Sequence, residues 1–303
     1  MGVGTTLTLE AVDTPGMSDI QNIDTVGVVG AGTMGSGIAQ VAATSGYAVV
    51  MHDVEESLVT EGFEAIDDSL SQLVDSEKLT EGESRRARSQ VTGTTALKDL
   101  ADADLVVEAV VEAVDVKQSV FADLDEICRP DAVLATNTST ISITTIASAT
   151  ERPEQVVGLH FMNPVPLMRG VELVVGEKTS EATVALAHDF AASLEKEIWE
   201  ADDKPGFVTN RILMPWLNEG IRAYDEGVAS KADIDRGMKL GTNVPMGPLE
   251  LADHIGLDVV LGASETLHEQ LGDRYQPAYL LRRKVEAGDL GKKSGRGFYE
   301  YDD

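Results

Sequence analysis

A histidine and a glutamate near the middle of the chain have the residue types and the spacing of a catalytic pair. They are His160 and Glu172, and they lie in two apolar runs on either side of Pro164 and Pro166. Proline cannot donate a hydrogen bond to a sheet, so the proline-containing segment is predicted to be a turn between two strands. If the strands fold back antiparallel about Pro166, His160 faces Glu172 with Cβ atoms about 5 Å apart.

An imidazole that is bonded to a carboxylate suits the oxidation of a secondary alcohol. A base must reach the hydroxyl proton while hydride leaves the carbon, and a neutral imidazole can do this near neutral pH. The carboxylate fixes the tautomer and stabilises the imidazolium that forms. A histidine at the end of a strand can also be purely structural, so this interpretation requires a hydride acceptor close to the pair.

A glycine-rich turn near the start of the chain predicts such an acceptor. A short β-rich run at 24–29 is followed by Gly30, Gly32 and Gly35, then by a helical segment and a second strand that ends at Asp53. Gly30 permits a tight turn, Gly32 allows the main chain to approach a pyrophosphate, and Gly35 lets the helix pack closely on the strand. The helix N-terminus favours the diphosphate charge. Asp53 can accept hydrogen bonds from a ribose 2′-hydroxyl and repels a 2′-phosphate, which predicts NAD rather than NADP.

The elements that must position these residues predict an α/β fold with a Rossmann-type doubly wound, mostly parallel sheet, followed by a smaller all-α domain. Apolar strands that alternate with helices are typical of a parallel sheet covered on both faces. Further strands are predicted at 90–94, 104–109, 132–136, 156–161 and 197–202, and helices at 114–128, 141–148 and 181–194. The hairpin at 158–175 is expected to be a local antiparallel addition near the sheet edge.

Three segments of the chain are distinguished by their pattern. Residues 1–22 are predicted to be a flexible tail, within which Met17 is an alternative start. Residues 23–203 are predicted to form the NAD-binding domain, with an inserted helical hairpin at about 55–90. Residues 204–303 are predicted to form the helical domain, in which only the closing segment at 297–301 carries a strand pattern. The helices of this domain have more apolar surface than a bundle of this size needs for its own core. This pattern predicts a homodimer through the domain, although periodicity alone does not distinguish a dimer interface from packing on the first domain.

The helical hairpin carries a local basic cluster in an otherwise acidic chain. Arg85, Arg86 and Arg88 fit either a solvated helix end or a contact with a phosphorylated ligand. The sequence alone leaves both interpretations open.

The composition excludes several classes of protein. The chain has 303 residues, is 43% hydrophobic and carries a net charge of -28, which argues against a broad nucleic-acid-binding face. No apolar run approaches the roughly 18 residues of a membrane span, and no signal peptide is recognised. The single cysteine, Cys128, fits a reducing compartment, so a cytoplasmic location is expected. The dispersed acidic residues predict a halophilic source, because salt would screen their repulsion.

Eight segments together carry a family resemblance that extends from about residue 24 to the C-terminus. They are VGVVGAGTMGSGIAQ (26–40), DLVVEAVVE (104–112), ATNTST (135–140), GLHFMNPVPLM (158–168), VELV (171–174), DKPGFVTNRIL (203–213), GPLELAD (247–253) and KKSGRGFYEY (292–301). Their order resembles the L-3-hydroxyacyl-CoA dehydrogenase family, and within it the short 3-hydroxybutyryl-CoA dehydrogenase type. Because the segments are spread over both predicted domains, the resemblance is specific.

The resemblance implies roles for individual residues. It makes His160 the catalytic histidine and Glu172 its acidic partner, with Ser139 and Asn210 completing the catalytic set. By themselves, Ser139 would be read as a turn or cap residue and Asn210 as a helix-start residue. The implied NAD-binding positions are Gly30, Gly32, Thr33, Met34, Gly35, Asp53, Glu112, Lys117, Ser139, Asn163 and Lys293. The implied substrate-binding positions are Ser69, Lys78, Ser139 and Asn210, and no metal ligand is assigned.

The implied activity is the NAD-dependent oxidation of an (S)-3-hydroxyacyl-CoA to a 3-oxoacyl-CoA, or its reverse. One alternative is the same chemistry on a CoA-free 3-hydroxy acid of the L-gulonate or carnitine type. Another is a non-catalytic NAD-binding protein, which predicts the loss of His160 or Glu172, although both are present. A catalytic lysine in the helical domain is a further alternative, but the segment 208–220 contains no lysine. The hairpin is acidic at Glu64, Asp67 and Asp68, unlike more basic relatives, which leaves the CoA contacts open.

Overall fold

The chain is organised around an eight-stranded sheet, seen in a computed structural model that describes residues 23–301. The predicted tail at 1–22 lies outside the described residues. The strands are β1 (Thr25–Val29), β2 (Ala48–His52), β3 (Val91–Thr94), β4 (Leu105–Glu108), β5 (Val133–Thr136), β6 (Val156–Phe161), β7 (Gly170–Val175) and β8 (Glu197–Asp202). Their order across the sheet is β3-β2-β1-β4-β5-β6-β7-β8. The first six are mutually parallel, as expected for a Rossmann-type fold.

The sheet is covered on both faces by helices of the same segment of the chain. These are α1 (Thr33–Thr44), α2 (Glu56–Asp75), α3 (Glu81–Gln90), α4 (Val114–Ile127), α5 (Ile143–Ala147) and α6 (Glu181–Ser193). Strands β4, β5 and β6 are buried along their whole length, because residues that face either side meet a helix layer. Continuous apolar strands are therefore the pattern that this fold requires.

The hairpin at the sheet edge has the register that the sequence predicts. Strand β7 runs antiparallel to β6, and His160 pairs with Glu172. Strand β8 then adds parallel to β7 and forms the edge. The two residues of the proposed pair are thus fixed by main-chain hydrogen bonding of a ladder rather than by a mobile loop.

The inserted hairpin consists of α2 and α3. A capping box begins α3, because Thr80 accepts from the main-chain N–H of Glu83 while the Glu83 carboxylate accepts from that of Thr80. Arg88 lies 4.0 Å from the ring centroid of Phe63 and 2.8 Å from Asp67, both on α2. Arg85 pairs with Glu81. These two arginines are therefore partnered within the hairpin, which favours the solvated-helix interpretation of the cluster.

The helical part of the chain has its own apolar core. Its helices are α7 (Thr209–Asp225), α8 (Lys231–Thr242), α9 (Pro248–Ile255), α10 (Leu257–Leu271) and α11 (Tyr279–Glu286). The fully buried side chains of Leu217, Ile221, Leu249, Val260 and Leu281 pack together between them. Among the helices of residues 23–301, none combines the length and apolar character needed to cross a lipid bilayer.

Two details of this region follow from its main-chain conformation and hydrogen bonding. The segment 247–272 forms two helices, because Gly256 adopts φ +102° and ends the first of them. The strand expected from the pattern at 297–301 is wrong, because this segment forms only one isolated bridge, between Glu300 and Arg296. The main-chain N–H groups of Phe298 and Tyr299 donate to the Asp253 carboxylate, both at 2.8 Å, and so are not available to a neighbouring strand.

Candidate active site

The glycine turn between β1 and α1 forms an open cradle at the carboxyl end of the sheet. Gly30 has φ +99°, a conformation that side chains rarely adopt. A Cβ atom on Gly35 would lie 1.7 Å from the Gly30 carbonyl oxygen, so only glycine allows α1 to pack this closely. A Cβ atom on Gly32, by contrast, would meet nothing within 4 Å. The main chain there borders free space, as a bound pyrophosphate requires.

Asp53 follows β2 and forms one wall of this cradle. Its carboxylate accepts from the main-chain N–H of Ala31 and from that of Val54, both at 2.7 Å. These bonds fix the carboxylate beside the glycine turn, in the position that a ribose-binding acid needs. Met34 packs its partly buried side chain against the hydrophobic core, and a contact between Met34 and a cofactor stays a prediction.

A cavity of about 450 Å³ opens from the cradle. It runs between α1, α2 and the loop that joins β6 to β7. Gly32, Thr33, Asp53, Ser69 and Asn163 all line it, so the structure brings together these predicted cofactor and substrate residues. An adenosine diphosphate moiety fits this arrangement, because the free space, the helix N-terminus and the fixed carboxylate lie together.

His160 and Glu172 form a buried hydrogen-bonded pair. The His160 Nδ1 atom lies 2.9 Å from Oε2 of Glu172. His160 is 9% exposed and Glu172 is fully buried. The ring of Phe207 lies beside the imidazole, with the ring centroids 6.3 Å apart. The carboxylate can therefore hold one ring nitrogen while the other stays free for chemistry.

The second oxygen of Glu172 accepts three N–H groups that the sequence did not reveal. Oε1 lies 3.1 Å from Trp199 Nε1, 2.8 Å from the main-chain N of Val208 and 3.0 Å from that of Thr209. Burial alone would raise the pKa of Glu172, but the hydrogen bonds from His160, Thr209, Val208 and Trp199 outweigh it and lower the pKa below its ordinary value. Glu172 is therefore an anion next to His160 at neutral pH.

These donors also join the two parts of the chain. Trp199 lies on β8, while Val208 and Thr209 begin α7 of the helical part. The N-terminus of a helix favours negative charge, so the start of α7 is a suitable partner for the carboxylate. The position of the helical part is thus tied directly to the acid that orients His160.

The loop after β5 is held by a second carboxylate, that of Glu112. Its Oε1 accepts from the Thr138 hydroxyl at 2.6 Å and from the main-chain N–H groups of Ser139 and Thr140 at 2.9 and 3.1 Å. Burial raises the pKa of Glu112, but the charge of Lys117 and these hydrogen bonds together lower it. The loop that presents Ser139 is therefore anchored to an ionised side chain.

Lys117 is buried at the base of this loop. Its Nζ lies 2.6 Å from Glu108 and 3.4 Å from Glu112. Glu108 also accepts from the Thr136 hydroxyl at 2.7 Å. Lys117 therefore balances the charge of the buried Glu108 and of Glu112, which is partly open to solvent. A contact between Lys117 and a cofactor stays a prediction.

Asn210 of α7 reaches the same loop. Its Nδ2 donates to the main-chain oxygen of Ser139 at 3.0 Å. Because α7 also binds Glu172, the helical part contacts both the histidine pair and the serine loop. The four residues of the predicted catalytic set, His160, Glu172, Ser139 and Asn210, are thus linked through α7.

Two of the predicted site residues are placed differently. Lys293 forms an ion pair with Asp258 at 2.6 Å, and both belong to the helical part. Lys78 is exposed in the turn between α2 and α3 and does not line the cavity. The structure does not bring either lysine together with the catalytic set, so their ligand contacts stay predictions.

Some contributing residues were missed by the sequence analysis. Trp199, Val208 and Thr209 act through groups that pattern cannot reveal, namely an indole N–H and two main-chain N–H groups. Asn137 was also missed, although its side-chain oxygen accepts from the main-chain N–H of Phe161 at 2.9 Å and so holds the end of β6. Its position directly after β5, at the ligand-binding edge of a parallel sheet, was the available signal.

Comparison with known proteins gives matches along nearly the whole described chain. The family profile described as "3-hydroxyacyl-CoA dehydrogenase, NAD binding domain" matches residues 25–203, and "3-hydroxyacyl-CoA dehydrogenase, C-terminal domain" matches residues 206–301. A probable 3-hydroxybutyryl-CoA dehydrogenase of Deinococcus radiodurans is 51% identical over 276 residues, which cover 91% of this chain and 99% of the relative. The 3-hydroxybutyryl-CoA dehydrogenase of Bradyrhizobium diazoefficiens is 48% identical over 280 residues, covering 92% and 96%.

A solved structure matches the fold with similar completeness. The crystal structure of the (S)-3-hydroxybutyryl-CoA dehydrogenase from Ralstonia eutropha aligns with a TM-score of 0.89 at 45% identity. The alignment covers 93% of this chain and 100% of that structure. Both the sheet and the helical part thus have counterparts in that dehydrogenase.

Proposed function

Because this chain belongs to the 3-hydroxyacyl-CoA dehydrogenase family and is an NAD-dependent oxidoreductase, we propose that His160 and Glu172 carry its proton transfer. The observation that supports this proposal is the 2.9 Å bond between His160 Nδ1 and Glu172 Oε2, made by a carboxylate that accepts three further N–H groups. This bond keeps the proton on Nδ1 and leaves Nε2 as the base. In the oxidation direction, Nε2 takes the hydroxyl proton of the substrate, and in the reverse direction it returns it.

The ionised state of Glu172 matters for this step. The imidazolium that forms on His160 is stabilised by the adjacent anion, in a buried site where electrostatic interactions are strong. Because Oε1 is held from three directions, the carboxylate cannot rotate away as charge develops. The group is therefore preorganised for the charged state of the histidine.

Ser139 and Asn210 are proposed to position the substrate. Ser139 is partly exposed on a loop fixed by Glu112. Its hydroxyl donates to Glu112 Oε1 at 3.3 Å, and after rotation of the side chain it can donate instead to the oxygen that reacts. Asn210 donates one amide hydrogen to the Ser139 carbonyl, and its second amide hydrogen can be donated to the thioester carbonyl. Both residues lie where α7 meets the sheet, so substrate positioning depends on the placement of the helical domain. We place the boundary between the two domains at residues 203 and 204.

When NAD is bound, it accepts the hydride from the carbon that carries the substrate hydroxyl. The chain contributes the binding and orientation of this cofactor. Gly30, Gly32 and Gly35 with the start of α1 would hold the diphosphate, and Asp53 the adenosine ribose. Asn163, in the loop between His160 and Glu172, would contact the cofactor on the side of the catalytic pair.

We further propose a short-chain substrate, a homodimer and a cytoplasmic location. The relatives at 48–51% identity are named for 3-hydroxybutyryl-CoA, which supports a short acyl group here.

Large apolar side chains on the helical domain are exposed, including Ile212 at 67% and Leu240 at 76%, and they would be covered in a dimer. The one cysteine, Cys128, is free and buried, as is usual in a reducing compartment.

A steady-state comparison of substrates tests the substrate assignment. NAD reduction is followed in molar salt with (S)-3-hydroxybutyryl-CoA, and with L-gulonate and L-carnitine as CoA-free substrates. We expect kcat/KM for the CoA thioester to exceed the others by several orders of magnitude, since remote binding energy of CoA contributes to the transition state. A preference for either CoA-free acid would contradict the CoA assignment.

A further inference from the structure

The cavity beside the cofactor cradle contains a buried polar group that the proposed mechanism does not use. Gln40 is 2% exposed, lies on α1 and lines the cavity. Its side-chain nitrogen has no hydrogen-bond partner among the described residues. A buried donor without a partner costs stability, and such groups in native proteins call for an explanation such as a ligand.

The position of Gln40 separates it from the cofactor cradle. It lies seven residues after Thr33, which is about two helical turns or roughly 10 Å along α1. The diphosphate is expected at Gly32 and Thr33, where the helix begins. Gln40 therefore belongs to the far part of the cavity, where α1 approaches the loop between β6 and β7.

The walls of the far part of the cavity fit an uncharged, slender ligand. They include Ala65 and Ser69 of α2 and Val165 and Pro166 of the loop. None of the described residues that line the cavity is a lysine or arginine. A phosphate group is thus disfavoured in this part of the cavity, whereas a chain with apolar segments and amide groups is compatible with it.

We propose that Gln40 binds the pantetheine arm of the acyl-CoA substrate by pairing its carboxamide with an amide of that arm. Both groups combine an N–H donor with a C=O acceptor, so the pairing satisfies the unpartnered nitrogen of Gln40. The arm is uncharged and narrow, and it links the nucleotide of CoA to the thioester. Gln40 thereby distinguishes CoA thioesters from free hydroxy acids, which lack these amides. The proposal rests on the CoA substrate of the proposed function.

The test compares Gln40→Leu with Gln118→Leu. Gln118 is a matched control, because its amide already donates to the main-chain oxygen of Thr145 at 2.8 Å and it does not line the cavity. We expect Gln40→Leu to lower kcat/KM for acetoacetyl-CoA and to weaken inhibition by free CoA, each about tenfold, which corresponds to about 1.4 kcal/mol. The Kd for NADH should stay within twofold of the wild-type value. Gln118→Leu should keep both CoA parameters.

Thermal stability distinguishes a ligand-binding role from a structural one. Because Gln40→Leu removes a buried donor without a partner, its melting temperature should equal or exceed that of the wild type. If the Gln40→Leu variant fails to fold, the test uses Gln40→Met, because the methionine side chain is unbranched and similar in length to glutamine. Unchanged kcat/KM and CoA inhibition, or an equal loss of NADH affinity, would overturn the role of Gln40. A wild-type enzyme that does not reduce acetoacetyl-CoA would instead overturn the proposed function.

Discussion

Replacing Glu172 by glutamine should force His160 into the wrong tautomer. The side chain keeps its shape, but one of its two polar ends becomes an NH₂ group. In the wild type, Oε1 accepts from Trp199, Val208 and Thr209, and Oε2 faces His160 Nδ1 at 2.9 Å. The glutamine oxygen must stay with the three N–H donors, because an NH₂ group there would leave all three without an acceptor, at about 1–3 kcal/mol each.

The consequence for the histidine follows from this orientation. The glutamine NH₂ group then faces Nδ1, which must accept its hydrogen bond and therefore gives up its own proton. The proton of the neutral ring moves to Nε2, which can no longer act as a base. A wrong tautomer of a catalytic histidine costs about 10⁴ in kcat in a serine protease triad. We expect a loss of about 10³ to 10⁴ for Glu172→Gln, equivalent to about 4–5.5 kcal/mol.

The assay is the pre-steady-state and steady-state rate of NADH oxidation with saturating acetoacetyl-CoA. The control is Glu200→Gln, because Glu200 pairs with His188 at 2.6 Å at the protein surface and so forms a second His–Glu pair. The Kd for NADH should stay near the wild-type value in both variants. A Glu172→Gln enzyme with more than a tenth of the wild-type kcat would refute the reasoning from the three donors.

Three further predictions concern Trp199, Asp53 and the acidic surface. Trp199→Phe removes one N–H donor to Glu172 while keeping an aromatic ring, and kcat should fall about tenfold. The control is Trp216→Phe on α7, where the indole packs against the core of the helical part; this variant should keep the wild-type kcat, and equal effects would contradict a positioning role for Trp199. Asp53→Ser should lower kcat/KM for NADH and raise kcat/KM for NADPH, because it removes the carboxylate that repels a 2′-phosphate. An unchanged preference between NADH and NADPH would argue against ribose binding by Asp53. The melting temperature should rise between dilute and molar KCl, because salt screens the repulsion of a net charge of -28, and a flat response would argue against a halophilic source.

The sheet could be predicted closely because its strands are apolar runs bounded by turn residues. The predicted strand at 156–161 and the edge strand at 197–202 have the observed bounds. The pairing of His160 with Glu172 could also be predicted, since the register of an antiparallel hairpin follows from the centre of its turn. The pattern of apolar and polar residues predicts the secondary structure well wherever main-chain hydrogen bonding and burial determine it.

The parts that could not be predicted depend on side chains that capture main-chain groups from distant segments. The strand pattern at 297–301 is overridden because Asp253, more than 40 residues earlier, binds its N–H groups. Likewise, Glu172 accepts from the main-chain N–H groups of Val208 and Thr209 at the start of α7. Such contacts form only in the folded protein, and the spacing of apolar and polar residues in the sequence does not predict them. The unpartnered amide of Gln40 is also a property of the packed cavity alone.

The most direct test of the central claim is the single-turnover rate of NADH oxidation by His160→Gln. Enzyme in excess of acetoacetyl-CoA is mixed with NADH in molar salt, and the wild type and His188→Gln are measured alongside. His188 offers a matched control because it is also a histidine paired with a glutamate. If His160 transfers the proton, its variant should lose at least about 10² to 10⁴ in rate, while His188→Gln keeps the wild-type rate. A His160→Gln enzyme that turns over at the wild-type rate would contradict the account.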